Sequence, residues 1–335
     1  MEKVRIGVVG TGHLGSLHTK MLAQISTVNL VGVFDAESAK AQKVASEHGT
    51  KAYASLEKLL GDVQAVSIAT TTTTHYDVAS QALERGRHTF IEKPITETID
   101  QARKLVALSE RKNVSIQVGH IERFNPAILA LEQYKIRPLF IESHRLAQFN
   151  PRGSDVAVVL DLMIHDIDLI LSLVKSRVVR VDANGVSVVS GSEDIANARL
   201  QFENGCVANV TASRISQNKM RKMRLFQNDA YISIDFSQGL SEVFRLVDEG
   251  DPNVKPTMML GKIDQGSRKR VIVYEQPEVK EVNALKYELE LFAKSIQEGT
   301  EPPVTGRDGL QALEVAQEIL EKIAANAPQL LGTTH

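Results

Sequence analysis

Tryptophan is absent, cysteine occurs once, at Cys206, and aromatic residues make up only 5% of the 335-residue chain. A single cysteine excludes an internal disulfide and fits a reducing cytoplasm. Long apolar runs are missing too: no stretch approaches the roughly 20 residues that span a bilayer. Residues 1–10 carry charge ahead of apolar positions, as a secretion signal does, but the run is short and broken by glycine, which argues against that reading. Charge of one sign is also lacking. A net charge of -2 and a pI of about 6.5 give no basic footprint for nucleic acid or an anionic membrane surface. Neither an internal repeat nor a low-complexity segment is visible. What remains is ordinary globular composition, 43% apolar and 24% charged, in a length that exceeds one hydrophobic core and predicts two domains.

The first half alternates strand and helix patterns. Val4 to Val9 reads as a buried strand, followed at once by Gly10-Thr11-Gly12-His13-Leu14-Gly15 and an amphipathic helix to about Ile25. In that context the glycines allow a tight turn and bring backbone N–H groups, including those of His13 and Leu14, toward a pyrophosphate that the helix N-terminus favours. A second strand, Val28 to Phe34, ends at Asp35, about 20 residues beyond Gly15, where a carboxylate accepts from both ribose hydroxyls and repels a 2'-phosphate. The expected cofactor is therefore NAD, with NADP disfavoured, since no Arg or Lys precedes Lys40. Val63 to Ala69 is the next long strand. It runs into a polar turn, Thr70 to Thr74 with His75, ahead of a helix from Tyr76 to Arg85. Thr70, Thr71 and His75 are candidates for the ribose and nicotinamide side, although turn and capping chemistry also favours threonine.

His88 to Glu92 is a strand that delivers Glu92 and Lys93 before Pro94 stops the run. Just past the carboxyl end of a parallel strand, Lys93 is placed beside the reacting end of a bound dinucleotide, as acid/base, and Glu92 orients it or faces away. Helix Ile99 to Arg111 and strand Val114 to Gly119 complete a doubly wound parallel sheet. The nucleotide domain is expected over 1–120, and an α+β domain for substrate binding and oligomerisation over 121–335.

The second half opens with a helix near Pro126 to Tyr134 and a strand from Pro138 to Arg145. Leu160 to Val174 is an apolar helix interrupted by Asp161, His165, Asp166 and Asp168. At 100° per residue, Asp161, His165 and Asp168 fall on one side, and buried polar groups need partners. From Val178 to about Val273 the pattern is strand-rich, with strands read at 178–182, 185–190, 196–202, 206–214, 222–227 and 231–236. This predicts a large open, mostly antiparallel sheet whose outer face serves a homodimer or homotetramer. Met258 to Arg270 reads as loop, Val271 to Tyr274 as a late strand, and 283–297 and 309–325 as closing helices.

With the glycine turn, Glu92-Lys93-Pro94 and Asp161-x-x-x-His165 in that order, nearly the whole chain resembles the glucose-fructose oxidoreductase / inositol dehydrogenase / rhizopine catabolism (Gfo/Idh/MocA) family. The resemblance implies Lys93 as the catalytic lysine, His165 as the catalytic histidine and Asp161 as a substrate-binding or orienting residue. It also implies that Arg123 and Asn125, in the segment Ile121 to Pro126, face substrate. Segments 119–126 and 160–168 are most similar to members that oxidise nucleotide-linked amino sugars, particularly UDP-N-acetylglucosamine at the 3-hydroxyl. Neutral polyols and free sugars are substrates of close relatives, and a non-catalytic NAD-binding regulator is the further alternative, against which the presence of both Lys93 and His165 argues. Arg145, Arg152, Arg214, Arg221 and Arg224 are available for a diphosphate, although scattered arginines more often serve structure. No metal is expected: His120, His144, Asp161 and His165 lack a tight ligand spacing such as His-Glu-x-x-His.

Overall fold

The computed structural model describes residues 2–150, 156–251, 257–265 and 268–326. Two compact units emerge: Met1–Phe124 with Asn283–Glu314, and Asn125–Val282 with the residues from Val315 onward. The fold class is α/β, with a doubly wound parallel sheet in the first unit and a large, mostly antiparallel one in the second.

The first unit is built on strands β1 (Val4–Val9), β2 (Val28–Phe34), β3 (Lys51–Ala52), β4 (Ala65–Ile68), β5 (His88–Glu92) and β6 (Ile116–Gly119), all parallel and ordered β3-β2-β1-β4-β5-β6. Helices α1 (His13–Leu22), α2 (Ser38–Glu47), α3 (Leu56–Asp62), α4 (Thr72–Glu84) and α5 (Ile99–Lys112) connect them. The central strands β1 and β4 are mostly apolar and almost wholly buried because both faces of such a sheet are covered. Strand order reverses between β1 and β4, so the crevice beyond their carboxyl ends is the expected ligand position. Thr98 and Gln101 form a capping box that starts α5, and Asn113, in the left-handed region at φ 53°, ends it.

Helix α8 (Ala284–Glu298) also belongs to this unit. Leu289, Phe292 and Ala293 are fully buried in one core with Ile6, Val8 and Phe90, and Phe292 meets Phe90 edge-on at 5.8 Å. Burying side chains such as Leu and Phe is worth about 1.5–3 kcal/mol each, which ties this late helix to the nucleotide-binding sheet. The expected division at 120/121 is corrected accordingly, with residues 283–314 returning to the first unit.

The second unit holds β7 (Phe140–Leu146), β8 (Val178–Val186), β9 (Ile195–Phe202), β10 (Val207–Ser213), β11 (Met220–Phe226), β12 (Ala230–Asp235), β13 (Leu240–Asp248), β14 (Met258–Gln265) and β15 (Arg268–Glu275). Their order is β14-β15-β13-β12-β11-β7-β10-β9-β8, and only the β7–β10 pair is parallel. Strand β8 is one element where the pattern suggested two. Strand β13 had no counterpart in the sequence expectations, and the expected loop at 258–270 is the β14–β15 hairpin. Helix α6 (Pro126–Leu129) ends five residues before the predicted Tyr134. A π turn, Val159–Met163, leads into α7 (Ile164–Val174). Helix α9 spans Gly306–Asn326.

Candidate active site

The turn from β1 into α1 has the geometry that its glycines allow. Gly10 sits at φ +87°, and a Cβ there would lie 2.8 Å from the Ala69 carbonyl. Gly15 packs against the turn so closely that a Cβ would fall 1.8 Å from the Gly10 oxygen. Gly12 is the opposite case: a Cβ would meet nothing within 4 Å, and no side chain caps the helix N-terminus there. The space in front of α1 is thus open to a ligand group, and the N-terminal dipole favours a negative one.

That space belongs to a cavity of about 500 Å³ lined by Gly10, Gly12, His13, Leu14, Asp35, Lys40, Thr70, Thr71 and Thr74, among others. Asp35 closes one end. Its Oδ2 accepts from the Thr11 N–H (2.7 Å) and hydroxyl (2.9 Å), and Oδ1 accepts from the Glu37 N–H (2.9 Å). Burial opposes its charge, but these hydrogen bonds and the Lys40 ammonium hold the carboxyl below its usual range. Lys40 is itself paired with Glu37. An open, anion-favouring turn beside an ionised strand-end carboxylate fits a dinucleotide whose ribose carries unmodified hydroxyls.

On the other side of the switch point, α4 begins earlier than predicted, so Thr72 to Thr74 occupy its first turn, with Thr71 as the N-cap. The Thr74 hydroxyl donates to Thr70 Oγ1 (2.8 Å) and the Thr71 carbonyl (2.9 Å). His75 turns inward and is buried, with Nδ1 3.0 Å from the Pro94 carbonyl and Nε2 3.3 Å from the Thr70 carbonyl. Burial holds its pKa below the ordinary value of 6.5. His75 therefore joins the threonine turn to the segment after Lys93 and does not line the cavity.

Lys93 and Pro94 follow β5 through a cis peptide bond. Glu92 turns back into the protein: Oε1 lies 2.9 Å from His18 Nε2, and Oε2 accepts the Lys93 N–H at 3.2 Å. Gly119 walls in the carboxylate, since a Cβ there would stand 3.1 Å from its oxygens. Burial pushes the Glu92 carboxyl up, but the hydrogen bond and charge of His18, the charge of Lys93 and the Lys93 N–H together hold it below its usual range. His18, unremarked in the sequence, is fully buried, and its Nδ1 lies 2.7 Å from Ser67 Oγ.

In the second unit, Asp161 lies in the π turn and His165 at the start of α7, both half-buried. Asp168 is only 1% exposed, so it does not share their environment as straight 100° spacing implied. Neighbouring Asp166 is buried in a bidentate pair with Arg145, Oδ2 to Nε at 2.8 Å and Oδ1 to Nη2 at 2.9 Å, which fixes α7 on β7. Arg123 and Asn125, expected to face substrate, each make contacts within the protein. The Arg123 guanidinium lies 3.4 Å from Asp308 and 3.5 Å from the Pro303 carbonyl. Asn125 caps α6 by accepting from the Ala127 N–H (3.1 Å) and donates to the Phe236 carbonyl (3.4 Å). Among the candidate arginines, Arg145 is committed to Asp166, Arg214 donates to the Val156 carbonyl, and Arg224 pairs with Glu142. Arg152 lies outside the described residues. Among the described residues no three His, Cys, Asp or Glu side chains are grouped to hold a metal, and no helix is long and apolar enough to cross a membrane.

Residues 4–120 match the profile of an oxidoreductase family with an NAD-binding Rossmann fold, and 141–239 match the Gfo/Idh/MocA C-terminal domain. Over 245 residues the chain is 42% identical to UDP-N-acetylglucosamine 3-dehydrogenase of Acidithiobacillus ferrooxidans, covering 73% of this chain and 78% of that one. A solved structure of that enzyme superposes with a TM-score of 0.87 at 35% identity, over 97% of this chain and 99% of the other. The scyllo-inositol 2-dehydrogenase (NAD(+)) of Bacillus subtilis is 27% identical over 94% of this chain and 92% of its own. The chain belongs to the Gfo/Idh/MocA family of oxidoreductases and binds NAD through the fold of its first unit.

Proposed function

We propose that this dehydrogenase oxidises the 3-hydroxyl of UDP-N-acetylglucosamine or a closely similar nucleotide-linked amino sugar, with Lys93 as acid/base. The observation that carries the substrate class is the 42% identity, over 73% of this chain, to an enzyme of that name. Lys93 is supported by its place at the end of β5, with Glu92 beneath its backbone. NAD supplies the redox chemistry by accepting hydride from the alcohol carbon. The residues of the chain bind, orient and move the proton. Gly10, Gly12, His13, Leu14 and Gly15 receive the pyrophosphate, and Asp35 the adenosine ribose. Thr70 and Thr71 line the same cavity, and His75 supports them from below. Lys93 Nζ takes the hydroxyl proton as the C–H bond breaks. His165 hydrogen-bonds the reacting oxygen or passes on its proton, and Asp161 holds His165 or a neighbouring sugar hydroxyl.

Purified protein incubated with NAD and UDP-N-acetylglucosamine should produce NADH absorbance and a sugar nucleotide lacking two hydrogens by mass spectrometry. A signal from myo-inositol or scyllo-inositol and none from the sugar nucleotide would favour the second reading, a polyol dehydrogenase, which the 27% identity to the scyllo-inositol enzyme supports. NAD binding without reduction by any alcohol would favour a regulator.

The protein is further proposed to assemble as a homodimer or homotetramer through the outer face of the nine-stranded sheet. Phe140, Phe226, Tyr231, Phe244 and Tyr274 form a ladder across that face, with centroids 5.0–5.8 Å apart, and Phe226 is 37% exposed. An apolar stripe of this kind on an open sheet suits a second copy of the same face. Sedimentation of Phe226→Glu as a smaller species than wild type tests it.

A further inference from the structure

We infer that His18 is a positioning residue for the reaction, acting through Glu92 on the backbone and charge environment of Lys93. The inference rests on Lys93 being the acid/base. His18 stands one turn beyond Gly15 on α1 and is fully buried, its ring edge-on to Phe90 at 5.4 Å. Ser67 on β4, also fully buried, lies 2.7 Å from Nδ1, and Glu92 lies 2.9 Å from Nε2.

A carboxylate only accepts hydrogen bonds, so Nε2 must carry the proton that faces Glu92. The Ser67 hydroxyl donates to Nδ1 when the ring is neutral and accepts from it when the ring is charged, so every group in the chain Ser67–His18–Glu92 is satisfied in either state. The second Glu92 oxygen accepts the Lys93 N–H at 3.2 Å, so the carboxylate that His18 holds in turn fixes the residue from which the lysine side chain departs. Gly119 closes the remaining side, leaving the carboxylate little room to relax. Without a donor at Nε2, a nearly buried carboxylate would either rotate away, releasing the Lys93 N–H, or take up a proton, weakening that hydrogen bond and removing the negative charge that interacts with Lys93. The α1 helix thus serves two tasks: its N-terminus meets the cofactor, and six residues later it supports the base.

The test compares His18→Asn, which keeps an amide near Nδ1 and Ser67 but does not reach Glu92, with His18→Gln, which returns an N–H near Nε2. Both are assayed with whichever alcohol of the panel above reduces NAD, alongside Lys93→Ala, with the NAD dissociation constant read by titration calorimetry and stability by thermal melting. His18→Asn should lower kcat by about a hundredfold, the scale of a small misplacement of a catalytic group. KM and the NAD dissociation constant should change by no more than about threefold. His18→Gln should recover at least about tenfold of the loss while melting at the same temperature as His18→Asn. Combined with Glu92→Gln, the His18→Asn loss should be far from additive, because both break one chain.

Equal losses in the two His18 variants, losses that track melting temperature or NAD affinity, or full additivity with Glu92→Gln would each overturn the inference. Wild-type turnover in Lys93→Ala would instead overturn the reading beneath it. A large Lys93→Ala loss without the Gln/Asn pattern sinks the His18 role alone. Absence of NAD reduction by every alcohol sinks both.

Discussion

Asp35 is proposed to set cofactor choice, and replacing it with Ser while placing Arg at the neighbouring exposed Ala36 should then reverse the preference. Both positions line the cavity in front of α1. A hydrogen bond to a charged acceptor is worth about 1.5–3 kcal/mol, so losing the ribose contacts weakens NAD by about ten to a hundredfold. On the NADP side, removing carboxylate repulsion and adding a guanidinium that can grip phosphate acts in the opposite direction by a similar factor. The ratio of kcat/KM for NAD over NADP should therefore fall by about a thousandfold. Asp35 also anchors the glycine turn through Thr11, at 2.7 and 2.9 Å. The double variant should thus melt a few degrees lower, as expected for about 1 kcal/mol lost from a protein of this size. The assay is NADH and NADPH formation at saturating sugar substrate, after melting has shown the variant folded. An unchanged cofactor ratio would refute the role given to Asp35.

The glycine turn makes a paired prediction. Gly12→Ala should melt like wild type, because its Cβ meets nothing within 4 Å, yet bind NAD at least about tenfold more weakly as the methyl enters the pyrophosphate space. Gly15→Ala should lose stability outright, because its Cβ would fall 1.8 Å from the Gly10 oxygen; melting and NAD titration of the two variants decide the matter. Asp166→Ala should cost about 3–5 kcal/mol in urea unfolding by removing the buried bidentate partner of the Arg145 guanidinium, whose side chain is 4% exposed. Acidification should reduce stability in two steps. His75 and His88 have pKa values depressed by burial, so the unfolded chain takes up their protons first, and stability present above 6.5 is lost as pH falls below it. Asp35, Glu92 and Asp308 are also depressed, which adds a second loss as pH falls through about 4. Melting temperature against pH should show both, and His75→Phe should flatten the upper step.

Sequence pattern carried most of the first unit because its signals are local. Gly10 to Gly15 follows an apolar strand at once, Asp35 ends the next one, and Lys93 is announced by Pro94. The parts that escaped depend on contacts distant in sequence. His18 is ordinary on a helical wheel, and its meaning comes from Ser67 and Glu92, 49 and 74 residues away. Helix α8 shows an apolar face, but periodicity does not say that Phe292 packs on Phe90. The π turn at Val159–Met163 shifts the helical phase between Asp161 and α7, while Asp168, three residues from His165 on the same regular helix, is buried where His165 is half-buried. Strand β13 does bury Ser241 and Val243 in alternation, a signal weakened by the polar residues between them. Strand β14 is an edge strand beginning Met258-Met259-Leu260, without the alternation of a half-buried strand. Arg123 sits in a short 3-10 turn and Asn125 caps α6, positions whose polar residues suit a ligand contact and a structural role equally well in sequence.

The central claim is that Lys93 takes the substrate proton, and Lys93→Ala tests it most directly. The variant should fold and bind NAD as wild type does while kcat falls by about a hundredfold to ten-thousandfold, the usual contribution of a positioned general base. Turnover at the wild-type rate in a folded, NAD-binding Lys93→Ala protein would contradict the account.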